Sequence, residues 1–180
     1  MYKNIHFHST DDIETTSIQD MFNIDAITQL QNAVKIYKFE PLIKKENELK
    51  IIFVSRVSRK KNLHYALNLL KNIKYNIVFN IYGPKEDADY WNECQDIIDI
   101  LPKNVQVLYK GSLAQNEIVN KMRGYHTFLF PTLSENFGHV IVESMQAGLV
   151  PIISDQTPWL KLNYINVGWD IPLDYEEAYI

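Results

Sequence analysis

Residues 128–148 read Phe-Leu-Phe-Pro-Thr-Leu-Ser-Glu-Asn-Phe-Gly-His-Val-Ile-Val-Glu-Ser-Met-Gln-Ala-Gly. The apolar run at 128–130 predicts a buried strand, which Pro131 ends because proline cannot donate a hydrogen bond to a sheet. Residues 138–147 predict a helix with one apolar side, and Gly148 stands where the C-terminus of a helix favours glycine. The stretch therefore predicts a strand, a polar loop and a helix, in that order.

The loop and the helix start favour binding of an anion that also carries hydroxyl groups. The first N–H groups of a helix have no partner within it, the helix dipole adds partial positive charge there, and Gly138 permits close approach of a ligand. Glu135 and Glu143 offer carboxylates to hydroxyl groups, and His139 shares a helix face with Glu143. A sugar nucleotide matches this arrangement. On spacing alone, Glu135 could equally cap the helix and Glu143 could lie on a solvated face.

Strand and helix patterns alternate from residue 49 onward. Apolar runs predict strands at residues 51–54, 76–82, 105–109, 127–130, 150–154 and 167–171. Helices are predicted at residues 62–73, 89–100, 112–123 (with Ser112 and Gln115 at capping-box spacing) and 138–147, after Thr157-Pro158, and from residue 174. This order predicts an α/β fold of three layers, a Rossmann-like parallel sheet with helices on both faces. Ligands of such folds bind beyond the carboxyl ends of the strands.

A less regular segment, residues 1–48, precedes this alternation. Its patterns predict a short strand at residues 5–8, a helix at 12–22 and a strand at 34–39, followed by a charged connection at 44–48. We therefore predict two parts, a partial N-terminal or junction segment at 1–48 and a Rossmann-like domain at 49–180.

The composition is that of an ordinary globular protein. The 180 residues are 46% apolar and 22% charged, which suffices for one sizeable core. The net charge of −4 argues against nonspecific binding of nucleic acid, which requires a basic surface. A single cysteine, Cys94, fits a reducing compartment, and the sequence has neither a signal-peptide core nor an apolar run long enough to span a membrane. We therefore expect a cytoplasmic protein without a transmembrane segment, peripheral to the membrane only through partners.

A basic loop at residues 55–62 follows the first strand of the alternation. It carries four cations within six positions, Arg56, Arg59, Lys60 and Lys61. Runs of charge are usually solvated, but at the carboxyl end of a strand these side chains would attract a diphosphate, which arginine grips through two oxygens and lysine binds as a point charge. The loop is thus either an ordinary basic turn or part of a diphosphate site.

The sequence Glu135-Asn136-Phe137-Gly138, followed by Glu143, resembles the E-x7-E signature of retaining glycosyltransferases of family 4, which have the two-domain GT-B architecture. The surrounding Phe-Pro-Thr and Glu-Ser-Met-Gln-Ala-Gly-Leu-Val-Pro-Ile-Ile-Ser also resemble that family. The resemblance covers residues 49–172. It implies the C-terminal, donor-binding domain of a group 1 glycosyltransferase.

The resemblance also implies roles for individual residues. Arg56 and Lys61 have the family's spacing for binding the donor diphosphate, although Ser55 replaces the usual glycine. Glu143 would hold the ribose hydroxyls and Glu135 would face the donor sugar. The implied catalytic residues are Glu135, Arg56 and Lys61, and the implied donor-binding residues are Arg56, Lys61, Gly111, Glu135, Asn136, Phe137, Gly138, His139, Val140 and Glu143. Two cations and a helix N-terminus can stabilise the leaving diphosphate, so no metal and no cofactor are expected.

A GT-B enzyme has an N-terminal acceptor-binding domain as well, which the resemblance implies as a missing partner of this chain. We expect a domain truncated at its C-terminus, which binds a nucleotide-sugar donor weakly, transfers little alone and self-associates through exposed apolar surface. The complete enzyme would transfer a hexose to an acceptor hydroxyl with retained configuration, in polysaccharide or other glycan biosynthesis. Two alternatives remain: half of a GT-B sugar-nucleotide epimerase, and a noncatalytic interaction domain that retains the fold.

Overall fold

The computed structural model describes residues 6–10, 12–24, 26–30, 33–38 and 48–174, and the chain forms two compact units, Met1–Lys35 and Ile36–Ile180. In the first unit, strand β1 (Phe7–Ser9) precedes helix α1 (Asp12–Phe22), and strand β2 (Ile27–Gln29) pairs with β1 in parallel. The expected helix at 12–22 is confirmed, and the expected strand at 5–8 is found one to two residues later. The division between residues 48 and 49 stays a prediction.

The second unit contains a six-stranded sheet in which every pair of neighbouring strands is parallel. Its strands are β3 (Leu49–Val54), β4 (Ile77–Tyr82), β5 (Val105–Tyr109), β6 (Thr127–Phe130), β7 (Val150–Ser154) and β8 (Trp169–Ile171). Their order across the sheet is β5-β4-β3-β6-β7-β8. The predicted α/β class with a parallel, Rossmann-like sheet is therefore confirmed.

Helices cover both faces of this sheet. They are α2 (Leu63–Leu69), α3 (Ala88–Asp99), α4 (Ile118–Met122) and α5 (His139–Gln146). The chain moves one way across the sheet from β3 to β5 and the other way from β6 to β8. Because connections between parallel strands are right-handed, this reversal places α2 and α3 on one face and α5 on the other. Consistent with that, α2 packs with α3, and α4 packs with α5.

A core of apolar side chains from the sheet and its helices holds this unit together. Phe53 in β3, Phe79 in β4 and both Phe128 and Phe130 in β6 are fully buried. The rings of Phe53 and Phe130 lie 5.9 Å apart, so the two central strands pack through aromatic side chains. The predicted strand at 127–130 is thus an inner strand of the sheet, and its carboxyl end opens toward the loop that carries Glu135.

Some predicted elements differ from the structure. The prediction of a capping box at Ser112 and Gln115 is wrong. A 3-10 turn (Gln115–Glu117) precedes α4, and the Glu117 carboxylate accepts the hydrogen bond from the Ala114 N–H. The helix predicted after Thr157-Pro158 is also wrong: residues 155–168 form bends and turns, with the Asp170 carboxylate accepting the N–H groups of Lys161 and Leu162.

The remaining differences lie at the ends of the chain. Residues 33–38 have no regular secondary structure, so the strand predicted at 34–39 is wrong in its described part. The helix predicted from residue 174 falls almost entirely outside the described residues. Among the described residues, no helix has the length and apolar character needed to cross a bilayer.

Candidate functional site

A cleft of about 310 Å³ opens at the carboxyl ends of the central strands. It is lined by Val54, Ser55, Arg56, Gly83, Pro84, Leu113, Gln115, Ile118, His139, Val140 and Glu143. The connections after β3 and β6 leave the sheet in opposite directions beside this cleft, which is where ligands of open parallel sheets bind. Of the predicted binding residues, Arg56, His139, Val140 and Glu143 therefore share one cleft.

A second cavity, of about 660 Å³, is larger but lies at the opposite edge of the sheet. Its lining includes Leu49, Asn76 and Thr127, at or next to the amino ends of β3, β4 and β6, together with apolar side chains at and just after the end of α2. None of the predicted binding residues contributes to it. Size alone would select this cavity, whereas topology and chemistry select the smaller one.

Lys61 and Glu135 form an ion pair that joins the loops after β3 and β6. The Lys61 Nζ lies 2.5 Å from the Glu135 Oε2, and the two side chains are only 10% and 18% exposed. Main-chain and side-chain hydrogen bonds tie the same loops together, since Lys60 O accepts from both Leu133 N and Thr132 Oγ1. Two of the three predicted catalytic residues, Lys61 and Glu135, are thereby in direct contact, although they lie 74 positions apart in the sequence.

The other cations of the basic loop have different surroundings. Arg56 lines the cleft and pairs with Glu86, with 2.5 Å between Nη1 and Oε1, and both side chains are about half exposed. Arg59 instead forms two hydrogen bonds with Glu93 on α3, and Lys60 is exposed. Of the four cations, Arg56 thus lines the cleft and Lys61 contacts Glu135, whereas Arg59 is exposed and paired with Glu93.

Gly138 shapes the turn into α5. It is the N-cap residue, has a left-handed backbone (φ 76°) and receives no side-chain capping bond. A Cβ at Gly138 would lie 2.7 Å from the Ile141 Cδ1 and 3.1 Å from the Glu135 Cγ. Glycine is therefore required by both conformation and packing. Glu135 does not cap the helix, so the capping interpretation of Glu135 fails.

Contacts with the segment after β7 fix the rest of this loop. The Glu135 N–H donates to the Gln156 carbonyl at 3.0 Å, and the Trp159 indole N–H donates to the Phe137 carbonyl. The Phe137 ring also packs edge-on against Trp159 at 5.6 Å. Asn136 lies in the same loop, where its N–H donates to the Glu135 carboxylate at 3.2 Å. The loop thus presents Glu135 and the first N–H groups of α5, those of His139 and Val140, in a defined geometry.

Glu143 is buried rather than solvated. It is 6% exposed, and its Oε1 accepts a hydrogen bond from Gln115 Nε2 at 2.5 Å. Burial raises the pKa of the Glu143 carboxyl, and the hydrogen bond from Gln115 opposes that rise. The solvated-face interpretation of Glu143 is wrong, and a buried acceptor with one fixed partner faces the cleft.

Several residues of the site were not predicted from the sequence. Gly83 N donates to Gly111 O at 2.9 Å, and a Cβ at Gly83 would lie 1.9 Å from the Ser55 carbonyl oxygen. Gly111, which was predicted to bind the donor, therefore contacts the neighbouring turn through its backbone carbonyl, which accepts the hydrogen bond from Gly83. The pair Gly83-Pro84 after a strand signals a tight turn. The contact of Glu86 with Arg56 could not be predicted from the sequence, and Gln115, which contacts Glu143, was assigned to a capping box instead.

Acidic residues near the cleft do not form a metal cluster. The expectation of no metal site assumed that the sequence has no Asp-x-Asp motif, which is wrong, because Asp87-Ala88-Asp89 has that spacing. In the structure, Asp87 is the N-cap of α3, and its Oδ1 accepts from the Tyr90 N–H at 2.9 Å. Within the described ranges, no group of three or more His, Cys, Asp or Glu side chains is placed to hold a metal ion.

The fold and sequence have known relatives. The chain is 27% identical over 150 residues to the phosphatidylinositol N-acetylglucosaminyltransferase gpi3 subunit of Schizosaccharomyces pombe, a match that spans 77% of this chain but 31% of that protein. Its fold is similar to that of a mutant of Staphylococcus aureus TarM in complex with fondaparinux, alpha-GlcNAc-glycerol and UDP (TM-score 0.75, 15% identity, 96% of this chain and 35% of that one).

Two more solved structures share the fold. WaaG, a glycosyltransferase involved in lipopolysaccharide biosynthesis, superposes with a TM-score of 0.72 at 15% identity, over 95% of this chain and 51% of that one. Anabaena Alr3699/HepE in complex with UDP-glucose superposes with a TM-score of 0.62 at 23% identity, over 73% of this chain and 37% of that one. Identities this low support the fold alone, which is one half of the GT-B architecture.

Residues 35–162 match the family of glycosyl transferases group 1. This match covers more than half of the chain, and it includes the basic loop, the cleft and the whole Glu135–Glu143 stretch. The chain belongs to the group 1 glycosyltransferase family.

Proposed function

We propose that this chain binds the nucleoside diphosphate sugar donor of a retaining glycosyltransferase. The observation that carries the proposal is the cleft at the carboxyl ends of the sheet, where Arg56, the N-terminus of α5 and the buried carboxylate of Glu143 meet. A cation and free N–H groups suit a diphosphate, and a buried acceptor suits ribose hydroxyls. The UDP and UDP-glucose present in the TarM and HepE structures support a donor of this class.

Arg56 and Lys61 bind the diphosphate in this proposal. During transfer, the bond between the anomeric carbon and the diphosphate oxygen breaks, so negative charge develops on the leaving group. The Arg56 guanidinium, the Lys61 ammonium and the N–H groups of His139 and Val140 stabilise that charge without a metal ion. The acceptor oxygen bonds to the anomeric carbon on the face that the diphosphate leaves, and its proton passes to the leaving phosphate.

The carboxylates bind hydroxyl groups in this proposal. Glu135 faces the sugar. Its ion pair with Lys61 at 2.5 Å supports this role, since Lys61 is one of the two cations that we assign to the diphosphate. Glu143 accepts hydrogen bonds from the ribose. The acceptor binds to a second domain, and the complete enzyme acts in polysaccharide or other glycan biosynthesis.

Calorimetric titration tests the donor site. We expect the chain to bind one of UDP, GDP and ADP, with the same affinity in the presence and absence of Mg²⁺. The double variant Arg56→Ala/Lys61→Ala should lose at least about tenfold in affinity, since hydrogen bonds to charged groups contribute about 1.5–3 kcal/mol each. Arg59→Ala is the matched control, because Arg59 belongs to the same loop but pairs with Glu93.

Each contrary result has a clear meaning. Unchanged affinity in the double variant would exclude the proposed diphosphate site. Lack of binding to all three nucleotides would contradict the proposal and favour a noncatalytic domain that retains the fold.

A further inference from the structure

Gln115 contacts Glu143 from a different element of the fold. It lies in the 3-10 turn Gln115–Glu117, ahead of α4, whereas Glu143 lies in α5. A carboxylate only accepts hydrogen bonds, so the contact at 2.5 Å is donated by the Gln115 amide nitrogen. Both side chains line the cleft that also contains Arg56.

The turn that carries Gln115 has a fixed conformation. The Ala114 N–H donates to the Glu117 carboxylate at 3.1 Å, which closes the turn on one side. On the other side Ile118 and Val119 are buried, and α4 packs against α5. The Gln115 amide therefore reaches Glu143 from a position that does not depend on a bound ligand.

A carboxylate has two oxygens, and Gln115 occupies only Oε1. In the part of the chain that the structure describes, no other side chain donates a hydrogen bond to this carboxylate. The remaining acceptor positions on Glu143 therefore stay available in the cleft. Because rotation of the carboxylate would break the bond from Gln115, those positions point in a fixed direction.

We propose that Gln115 is a positioning residue that orients Glu143 to accept the vicinal hydroxyls of a ribose, and thereby makes the site selective for ribonucleotides over deoxynucleotides. This inference rests on the proposed donor site and adds to it a specificity-determining residue from outside the Glu135–Glu143 stretch. The same contact favours the charged form of the carboxylate, since the bond from Gln115 opposes part of the rise in the pKa of Glu143 that burial causes.

Titration with a matched pair of ligands tests this inference. The probes are the nucleoside diphosphate that the wild type binds and its 2′,3′-dideoxy counterpart. We expect the wild type to prefer the ribonucleotide by at least about tenfold, as two hydrogen bonds to a carboxylate would give. In Gln115→Leu the preference should fall to about threefold or less, while affinity for the dideoxy compound stays the same. A purely structural defect would lower both affinities together.

Two further variants complete the test. Gln115→Glu keeps the size of the side chain but replaces the donor with an acceptor, so it should also lose the preference. Asn116→Leu, the next residue in the same turn and outside the cleft lining, should keep it. Full preference in both Gln115 variants, or no preference in the wild type, would overturn the inference.

Inorganic pyrophosphate separates this inference from the proposed function. Its affinity should fall in Arg56→Ala/Lys61→Ala and stay unchanged in Gln115→Leu. If the double variant retained its affinity for both pyrophosphate and nucleotide, the assignment of Arg56 and Lys61 to the diphosphate would be wrong. The proposed function would then fail, and the inference about Gln115 would fail with it.

Discussion

Each cation assigned to the diphosphate is paired with a carboxylate of the protein itself. Lys61 pairs with Glu135 in a largely buried setting, and Arg56 pairs with Glu86 at the surface. Lys61 has three N–H donors and can keep Glu135 while binding a phosphate oxygen. Arg56 must share or exchange its partner, so Glu86 competes with the ligand for the same guanidinium.

Removal of that competitor should strengthen binding. We expect Glu86→Gln to raise affinity for the nucleoside diphosphate by about two- to fivefold, because an exposed ion pair is worth about 0–1 kcal/mol and the substitution also removes a negative charge near the phosphates. The measurement is calorimetric titration at low and high salt, with a smaller gain at high salt. Glu93→Gln is the control: it removes one of the two carboxylates paired with Arg59, outside the cleft lining, and should leave affinity unchanged. A weaker Glu86→Gln variant would mean that Glu86 itself binds the ligand.

At the scale of elements, the turn into α5 decides where the site lies. Gly138 was predicted to permit close approach of a ligand, and the structure gives a second reason, the contact that a Cβ would make with Ile141. Gly111 offers a comparison, since it has the same φ of 76° but nothing within 4 Å of a Cβ position. The two glycines thus separate the cost of backbone strain from the cost of a steric clash.

Alanine substitutions at these glycines should differ in their effect on stability. In Gly111→Ala the only cost is that of holding alanine in a left-handed backbone conformation, so the free energy of unfolding should fall by about 1 kcal/mol. Gly138→Ala adds the clash with Ile141 and Glu135, and should lose about 2–4 kcal/mol. Urea unfolding monitored by circular dichroism measures both. Equal losses would show that Ile141 moves aside at little cost.

The elements that the sequence predicted correctly have local causes. The strands at 105–109, 127–130 and 150–154 were predicted with the bounds that the structure has, because each is a short run of mainly apolar residues flanked by turn-forming residues. The turn after Thr157-Pro158 was missed because its main chain bonds to Asp170, a partner that no local pattern identifies. Gln115 was misread for the same reason, since its partner Glu143 lies 28 residues away.

At the scale of the whole molecule, the order of the strands assembles the site from distant segments. The reversal between β3 and β6 sets the basic loop beside the loop of Glu135, 74 residues later. The alternation of strands and helices predicted a ligand site beyond the carboxyl ends of the strands, and the cleft that contains Arg56 and Glu143 lies at that end. It could not predict which residues pair across that edge, because register and side-chain packing set those contacts.

The site also contains the buried carboxylate of Glu143, which lowers the stability of the whole fold. Burial raises the pKa of Glu143 above its ordinary value near 4.5. The native state therefore holds this proton to higher pH than the unfolded chain does. Since the native state binds more protons in that interval, stability falls as pH rises from the ordinary value through the raised one, and the loss persists at neutral pH.

Glu143→Gln should accordingly stabilise the protein and weaken its binding. Its amide oxygen can still accept from Gln115, so at neutral pH the free energy of unfolding should rise by about 0.5–2 kcal/mol, while affinity for the nucleoside diphosphate falls. The gain should shrink as pH is lowered toward the ordinary carboxyl value, as urea unfolding across that range would show. Glu93→Gln should instead lower the free energy of unfolding at neutral pH. Arg59 lowers the pKa of Glu93, so the substitution removes a charge that stabilises the native state. A Glu143→Gln variant that was less stable at neutral pH would mean that the charged bond to Gln115 outweighs burial.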